Sequence, residues 1–223
     1  AAVGMLVELI AYRPVRKRGT GMSALITAIG MSLLLENLAQ VFFSATSKNF
    51  GRSFFPAGGI GAGAIVIPYT TLITVGVSAV LMVGLVFLVQ KTRLGRAMRA
   101  VSEDKEAAIV SGINVNQTIL FTFAIGAALA AFAAVAYCNN QGLVNPTLGA
   151  NPGLKAFVAA VLGGIGSLPG AMIGGLVIGV LESVAKVIPG VSNYVDALVY
   201  VVLILVLLVK PSGLLGKKES EKV

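Results

Sequence analysis

The stretch MSALITAIGMSLLLENLAQVFF, from Met22 to Phe43, decides the class of fold. As a helix, these 22 residues are about 33 Å long at about 1.5 Å per residue, which is enough to cross the hydrocarbon core of a bilayer. Three more apolar stretches follow along the chain: Tyr69–Gln90, Thr118–Tyr137 and Tyr194–Val209. The sequence therefore predicts an all-α polytopic membrane protein, built as a bundle of transmembrane helices.

The composition agrees with this class and excludes several kinds of function. The chain is 57% hydrophobic and 12% charged, whereas soluble globular proteins are about 45–50% apolar and about 25% charged. With one cysteine, Cys138, and no histidine, the chain can form no intrachain disulfide and lacks the usual zinc and haem ligand sets. The sequence contains no P-loop, G-x-S-x-G or H-E-x-x-H motif, so we expect no enzyme, no catalytic residue, no cofactor and no metal.

The basic residues set the expected orientation. Of the 17 Lys and Arg residues, 13 lie in the three segments 12–21, 91–117 and 210–223. Because Lys and Arg concentrate in cytoplasmic loops, we expect these segments, including the C-terminal tail, to face the cytoplasm. The net charge of +8 then reflects membrane topology, and we expect contact with the lipid bilayer and not with nucleic acid.

The segment KAFVAAVLGGIGSLPGAMIGGLVIGVLESVAK, from Lys155 to Lys186, contains glycines and a proline that break a helix at its middle. A single kinked crossing here would place the basic tail outside, so we expect a re-entrant segment or a pair of very short spans. Two half-helices meeting near the midplane satisfy this prediction if the broken backbone is covered or lines a cavity. The pairs Gly170/Gly174 and Gly175/Gly179 are spaced to let a neighbouring helix approach closely.

Polar side chains in the first span and the broken backbone of the later segment form the candidate solute path. A charge at the centre of a span costs about 2.5–3.5 kcal/mol on insertion scales, so Glu36 needs a partner or water. Gln40 lies on the same helix face as Glu36, and Asn37 lies beside them. The alternative is that these three side chains hold neighbouring helices together. The broken segment adds four residues to the candidate path: Gly163, Gly164, Gly166 and Pro169.

The remaining segments carry weaker signals. The loop Ser44–Pro68 is Gly-rich, and we expect it to pack or to form short strands on the outer side. Glu182 and Asp196 fall near the outer interface, where we expect them to be hydrated. The chain opens on AAVGMLVELIAY, without Met, and we expect this to be the end of a membrane helix whose beginning is missing. No soluble linker divides the chain, which predicts one membrane domain.

The stretch RLGRAMRAVSEDKEAAIVSGINV, from Arg93 to Val115, is a polar interruption between two predicted spans. Its apolar residues recur at helical spacing, and its charged residues fall on the other side. The apolar stripe is Leu94, Ala97, Met98 and Val101, and the charged residues are Arg96, Arg99 and Glu103. We expect one or two short helices, capped near Gly112, with the stripe as the docking face. Charge and periodicity leave open a lipid surface, a cytoplasmic partner or a solvated loop.

Several motifs, spread in order over nearly the whole chain, carry a resemblance to one family. They are Tyr12-Arg13-Pro14-x-Arg16, Ala28-Ile29-Gly30-x-Ser32, Gly95-Arg96-Ala97, Arg99-Ala100, Glu106-Ala107-Ala108, Gly112-Ile113, Lys155-Ala156-Phe157, Gly163-Gly164-x-Gly166-Ser167-x-Pro169-Gly170 and Lys210-Pro211-Ser212-Gly213-Leu214-Leu215-Gly216. On these residues the chain resembles the permeases of bacterial ABC importers for branched-chain amino acids.

The resemblance implies a single permease domain over residues 1–223, truncated at its N-terminus, in a bacterial or archaeal cytoplasmic (inner) membrane. It implies import of branched-chain or related hydrophobic amino acids, although related permeases move urea or amides. It also implies several partners: a second homologous permease subunit, two cytoplasmic ATP-binding subunits and an extracytoplasmic amino-acid-binding protein. A stand-alone channel, or a proton-coupled carrier that uses Glu36, is the rival from another class.

The resemblance further implies that segment 91–117 is a cytoplasmic coupling loop, which seats in the ATP-binding subunit. The residues it assigns to coupling are Gly95, Arg96, Arg99, Ala100, Glu103, Glu106, Ala107, Ala108 and Gly112. It therefore selects a protein partner for this segment, which charge and periodicity alone do not.

Overall fold

The computed structural model describes residues 1–18, 21–49, 58–60, 67–164, 166–190, 192–210 and 212–216. Most of these residues are helical, which confirms the all-α class. The chain divides into two compact units, Ala1–Thr147 and Leu148–Val223. Each unit is described by itself.

The first unit begins with an interrupted helix. It consists of α1 (Ala2–Val7), one π-helical segment (Glu8–Tyr12) and α2 (Arg13–Arg18). Pro14 accounts for the wider π-helical segment, because proline has no N–H and its ring clashes with the carbonyl four residues earlier. The helices that follow are α3 (Gly21–Phe43), α4 (Tyr69–Lys91), α5 (Arg93–Glu103), α6 (Lys105–Val110) and α7 (Val115–Gln141).

Short strands join the ends of the long helices in this unit. Strand β1 (Lys48–Asn49), after α3, pairs antiparallel with β4 (Leu143–Val144), after α7. Strand β2 (Gly59–Ile60) pairs with β3 (Ile67–Pro68), which leads directly into α4. The β1–β4 pairing places the ends of α3 and α7 on one side, as alternating spans require. The prediction of short strands in the loop is confirmed for its described parts, 44–49, 58–60 and 67–68.

Five helices in the described ranges are long and apolar enough to cross a membrane: Ile26–Phe43, Tyr69–Lys91, Val115–Gln141, Leu168–Val187 and Ser192–Val209. Four of them are the spans predicted from the sequence, with boundaries shifted by a few residues. Most of their apolar side chains are exposed, which is the surface a helix presents to lipid. The fifth, Leu168–Val187, was predicted as part of a re-entrant or very short pair.

The second unit is a helical hairpin followed by the last span. It consists of α8 (Ala150–Gly163), α9 (Leu168–Val187), a short 3₁₀ turn (Ser192–Tyr194) and α10 (Val195–Val209). The Nζ of Lys155, early in α8, lies 2.7 Å from the Oε1 of Glu182, late in α9. The segment therefore starts and finishes at the same end, as the parity of the spans requires, and it is not one kinked crossing.

Small residues let α8 and α9 pack with their backbones close together. A Cβ on Gly174 would collide with the carbonyl oxygen of Ala159, and a Cβ on Gly170 with that of Gly163. Close approach through Gly170 and Gly174 is thus confirmed. No atom of the described chain lies within 4 Å of such a Cβ on Gly179, so for that residue close approach stays a prediction. Around this contact between α8 and α9, a buried cluster is formed by Val158, Ala159, Ile178 and Val199.

The break between α8 and α9 is confirmed, and it lies beside the residues that follow α10. The backbone N–H groups of Leu214 and Leu215, just after α10, donate to the carbonyls of Leu162 (2.8 Å) and Gly163 (2.9 Å) at the end of α8. The turn therefore lies level with the end of α10. With 20 residues, α9 is about 30 Å long and can cross alone, whereas the 14 residues of α8 give about 21 Å. The predicted half-helices are thus one short and one full helix.

Candidate functional site

The corner between α4 and α5 is built on a hydroxyl cap and a glycine. The Oγ1 of Thr92 accepts a hydrogen bond from the backbone N–H of Gly95 at 3.1 Å, which begins α5. Gly95 is buried, and a Cβ there would collide with the carbonyl oxygens of Leu88 and Val89. The chain turns from the membrane helix into α5 within a few residues, and only glycine fits the inside of that turn.

Two arginines of α5 bind back onto the end of α4. The Nη1 of Arg96 donates to the carbonyl of Lys91 (3.5 Å), and the Nη2 of Arg99 donates to that of Gln90 (3.4 Å). Cations stabilise the carbonyl-rich C-terminus of a helix. Both arginines lie on the exposed side, as predicted, but part of their hydrogen-bonding capacity is already used inside the chain.

Asp104 divides the polar stretch into two helices. Its backbone is extended, with φ −153°, and its Oδ1 accepts from the N–H groups of Glu106 (2.8 Å) and Ala107 (3.1 Å). This capping ends α5 and begins α6. The prediction of one or two short helices is therefore resolved as two.

Gly112 ends α6 in the left-handed conformation, with φ 80°. Its N–H donates to the carbonyl of Ile109 (2.9 Å), and that of Ile113 donates to Ala108 (3.0 Å), the two bonds of a Schellman motif. Asn114 then caps α7 by accepting from the N–H of Gln117 at 3.1 Å. The predicted cap at Gly112 is confirmed, and every turn between α4 and α7 has a side-chain or backbone cap.

The apolar stripe of α5 faces the chain itself, so its prediction as the docking face is wrong. Val101 is buried, and Leu94, Ala97 and Met98 are half-buried. Two apolar side chains of the next helix, α6, are strongly exposed instead: Ile109 at 60% and Val110 at 89%.

The predicted coupling residues divide by exposure into two groups. Gly95 and Ala108 are buried and Ala100 is half-buried, so these three shape the loop. The others are exposed: Arg96, Arg99, Glu103, Glu106, Ala107 and Gly112. The exposed group and the pair Ile109–Val110 lie along α5, α6 and the turn after α6, and together they are the α5–α6 face.

A buried ion pair holds the first helices against the start of α7. Glu8 is 1% exposed, and its Oε1 lies 3.1 Å from the Nη2 of Arg16. The same Arg16 nitrogen donates to the Oδ1 of Asn116 at 2.9 Å. A pocket of about 290 Å³ adjoins the pair, lined by Glu8, Leu9, Arg13, Asn114, Asn116, Gln117 and Leu120. The π-helical turn brings the Glu8 and Arg16 side chains together across eight residues.

The candidate path residues lie in both units. In the first unit, Glu36 and Gln40 are half-buried, Asn37 is exposed, and the Asn37 amide donates to the carbonyl of Leu33 at 2.7 Å. No ion-pair partner of Glu36 occurs among the residues that the structure describes. In the second unit, Gly163 and Gly164 pack against the segment after α10, and Gly166 and Pro169 occupy the same turn.

A second pocket of about 290 Å³ lies between α4 and α7 in the first unit. Seven of its ten lining residues carry a hydroxyl or an amide group: Thr70, Thr71, Thr74, Ser78, Tyr137, Asn139 and Asn140, with Val75, Ala133 and Ala136 as the others. It lies where α4 begins and α7 ends. This end is opposite to the α5–α6 face, because α4 and α7 each enter that face at their other end.

Comparison with known protein families identifies the family of this chain. The model of the family described as the permease component of branched-chain amino acid transport systems matches residues 1–207. The chain belongs to this family. Because such a permease is one component of a transport system, it works with other components of such a system.

Individual relatives of this permease agree with the family match. The permease protein BraD of a high-affinity branched-chain amino acid transport system in Pseudomonas aeruginosa is 43% identical over 226 residues, covering 100% of the chain and 73% of BraD. LivH of Escherichia coli is 41% identical over 227 residues, covering 100% of the chain and 73% of LivH. The probable LivH of Methanocaldococcus jannaschii is 30% identical over 236 residues, covering 96% and 71%. No solved structure matches the chain.

The permease is therefore a multi-pass membrane protein and a transport subunit, not an enzyme, which agrees with the prediction from its motifs. The family match runs through both compact units.

An ion cluster joins all three long helices in the second unit of the permease. The Nζ of Lys155 lies 2.7 Å from Glu182 and 2.8 Å from Asp196, and Lys186 lies 3.7 Å from Glu182. Glu182, at 17% exposure, is therefore not simply hydrated, whereas Asp196, at 59%, stays hydrated beside Lys155. Each carboxylate pairs with a lysine, and the cluster fixes the start of α10 beside both ends of the hairpin.

Sequence reasoning missed the Glu8–Arg16 pair, the Lys155 cluster and the polar pocket. The pairs depend on contacts between distant residues, which no local pattern shows. The pocket did leave a signal, because Thr70, Thr74 and Ser78 recur every four residues on one face of an otherwise apolar span.

Proposed function

We propose that this permease subunit imports branched-chain or related hydrophobic amino acids, as part of a binding-protein-dependent ABC importer in the bacterial or archaeal cytoplasmic membrane. Support comes from the names of its relatives BraD and LivH. Its proposed partners are a second homologous permease subunit, two cytoplasmic ATP-binding subunits and an extracytoplasmic amino-acid-binding protein. The proposal treats residues 1–223 as one permease domain.

In the proposed orientation, segment 91–117 and the tail 210–223 face the cytoplasm. The concentration of Lys and Arg in these segments supports this orientation. Of the tail, residues 210 and 212–216 lie in the described part of the chain. The Lys155 cluster is then at the outer end of the second unit, and the turn between α8 and α9 at its cytoplasmic end.

The α5–α6 face is the observation that carries the proposal. It is a surface of charged residues and two exposed apolar side chains, placed between two membrane helices and capped at each of its turns. A partner that moves this face therefore moves the ends of α4 and α7 with it. Because the chain has no nucleotide-binding motif of its own, the energy comes from the ATP-binding subunits.

The proposed solute path keeps the candidates from the sequence. Glu36, Asn37 and Gln40 face water or the second permease subunit, since a carboxylate within a span needs one of these. Gly163, Gly164, Gly166 and Pro169 border the cytoplasmic end of the path.

The test compares Val110→Asp with Glu36→Gln in the importer reconstituted in liposomes with its partner subunits. We expect Val110→Asp to lower ATP-driven leucine uptake at least tenfold, because it places a charge on the apolar part of the coupling surface. Lys105→Gln, an exposed change at the start of α6, serves as the control and keeps uptake within twofold.

A stand-alone proton-coupled carrier gives the opposite pattern. Uptake would then proceed without ATP-binding subunits, stop when the proton gradient is removed, and be lost in Glu36→Gln but not in Val110→Asp. A urea or amide permease would retain dependence on ATP but take up those solutes in place of leucine.

A further inference from the structure

We propose that the pocket between α4 and α7 is a transit site for a small zwitterionic amino acid on its way through the permease. The proposal rests on the proposed function for its solute class. It adds a place in the molecule and a set of residues that the family match does not assign.

The polar side chains of α4 lie in the first half of the helix, which lines the pocket, and at its last two residues, Gln90 and Lys91. From Ala79 to Val89 this helix has no side-chain oxygen or nitrogen, whereas Thr70, Thr71, Thr74 and Ser78 all lie in its first half and all line the pocket. The hydroxyl of Thr74 donates to the carbonyl of Thr70 at 2.8 Å, but a hydroxyl in hydrocarbon without such a bond is costly, so an ordinary lipid-facing span has no need of this cluster.

The facing helix α7 has polar side chains at both ends, and those at its beginning, Asn116 to Thr122, lie outside the pocket. Between Phe123 and Ala136, α7 has no side-chain oxygen or nitrogen. Its pocket-lining residues then recur at helical spacing toward its end: Ala133, Ala136, Tyr137 and Asn140. At this end the two helices thus turn hydroxyl and amide groups toward one shared space, with small alanines that leave room in it.

Ser78 is the pocket-lining residue of α4 that lies farthest from the start of the helix. It lies nine residues beyond Tyr69, or about 13 Å along the helix from the start of α4. Its side chain is exposed, and within the described part of the chain its hydroxyl forms no hydrogen bond. A hydroxyl at this depth without a partner is available to a solute or to water that enters the pocket.

Size and electrostatics suit a small amino acid. The volume of about 290 Å³ holds roughly ten water-sized groups at about 30 Å³ each, which is the scale of leucine or valine. The positive end of the α4 dipole and the negative end of the α7 dipole meet at this end of the pocket, which suits a molecule with both charges. Its lining residues carry no charge, so binding is weak enough to permit release.

The experiment compares a variant whose new side chain fills the pocket with a variant that carries the same side chain outside the pocket. In the assembled importer in liposomes, Ser78→Leu puts an apolar side chain into the pocket, and Ala79→Leu puts it on the neighbouring position outside. We expect Ser78→Leu to lower the initial rate of leucine uptake at least tenfold, with ATP hydrolysis within twofold of the unsubstituted importer. Uptake by Ala79→Leu stays within twofold. Normal uptake by Ser78→Leu, or equal loss in both variants, overturns the proposal.

A second measurement covers the case in which Ser78→Leu does not assemble. In Ser78→Cys, the introduced thiol reacts with a methanethiosulfonate reagent. We expect leucine or valine at roughly 10–20 mM to slow this reaction at least threefold, while mannitol has no effect. The unsubstituted permease, which carries only the buried Cys138, gives the background. An unchanged rate with both amino acids overturns the pocket assignment. Absence of leucine uptake by the unsubstituted importer overturns the proposed substrate instead, so the two failures are distinguishable.

Discussion

Single residues in this permease act mainly by allowing or fixing close contacts. Glu8 is the clearest case, because its carboxylate side chain is only 1% exposed, at the place where the first helices pack against α7. Its charge is balanced by Arg16, which also reaches Asn116. Removing one partner of a buried pair leaves an uncompensated charge, and that costs more than the pair itself contributes.

Arg16→Met is therefore expected to destabilise the permease by about 3 kcal/mol, at the low end of the range for breaking a buried pair. The measurement is chemical or thermal unfolding of the detergent-purified permease. Arg13→Met is the matched control, because Arg13 lies in the same helix and forms no ion pair within the described residues. Equal stability of the two variants would show that Glu8 does not depend on Arg16.

At this scale the sequence predicted residue types better than their roles. Gly95 and Ala108 belong to the motifs that indicated a coupling surface, yet both are buried. Their conformational role depends on how α5 crosses the end of α4, and that crossing is a tertiary feature which periodicity does not contain.

At the scale of elements, the α8–α9 hairpin shows what a sequence can and cannot predict. The glycines and Pro169 predicted the break, and the parity of the basic loops predicted that both ends lie on one side. The position of the break along the membrane normal was not predictable, because it depends on backbone hydrogen bonds from Leu214 and Leu215, some 50 residues farther along the chain.

The packing of this hairpin is testable with one matched pair. Gly174→Leu forces a side chain against the backbone of Ala159, so we expect a loss of stability of about 1–3 kcal/mol, as for overpacked cores. Gly179→Leu makes the same change on the same helix where nothing lies within 4 Å, and it leaves stability nearly unchanged. The readout is the unfolding midpoint in detergent. If Gly179→Leu is the more damaging change, then Gly179 packs against another subunit, and the assignment of the close α8–α9 contact to Gly174 is wrong.

For the whole molecule, the decisive property is the alternation of the spans across the membrane. Four spans were predictable from length and hydropathy, because the bilayer imposes these constraints on any sequence. Their orientation, which rests on the basic loops, stays a prediction. Ion pairs and pockets between helices were not, since they depend on how the spans pack.

Thiol labelling tests the orientation directly. Ser102→Cys, an exposed position of α5, is expected to react with an impermeant thiol reagent only in inverted membrane vesicles. Ser192→Cys, an exposed position before α10, reacts only in right-side-out vesicles. The unsubstituted chain controls for Cys138, which is 9% exposed. Labelling of Ser102→Cys from outside the cell would invert the proposed topology.

The bonds from Leu214 and Leu215 to the end of α8 also set an order of events during synthesis. Leu214 follows Leu162 by 52 residues, and at about 5–20 residues per second the ribosome needs roughly 3–10 s to produce it. During that time the last carbonyls of α8 lack their permanent donors and depend on water at the membrane surface. The second unit therefore closes from its newest residues, after the last span has entered the membrane.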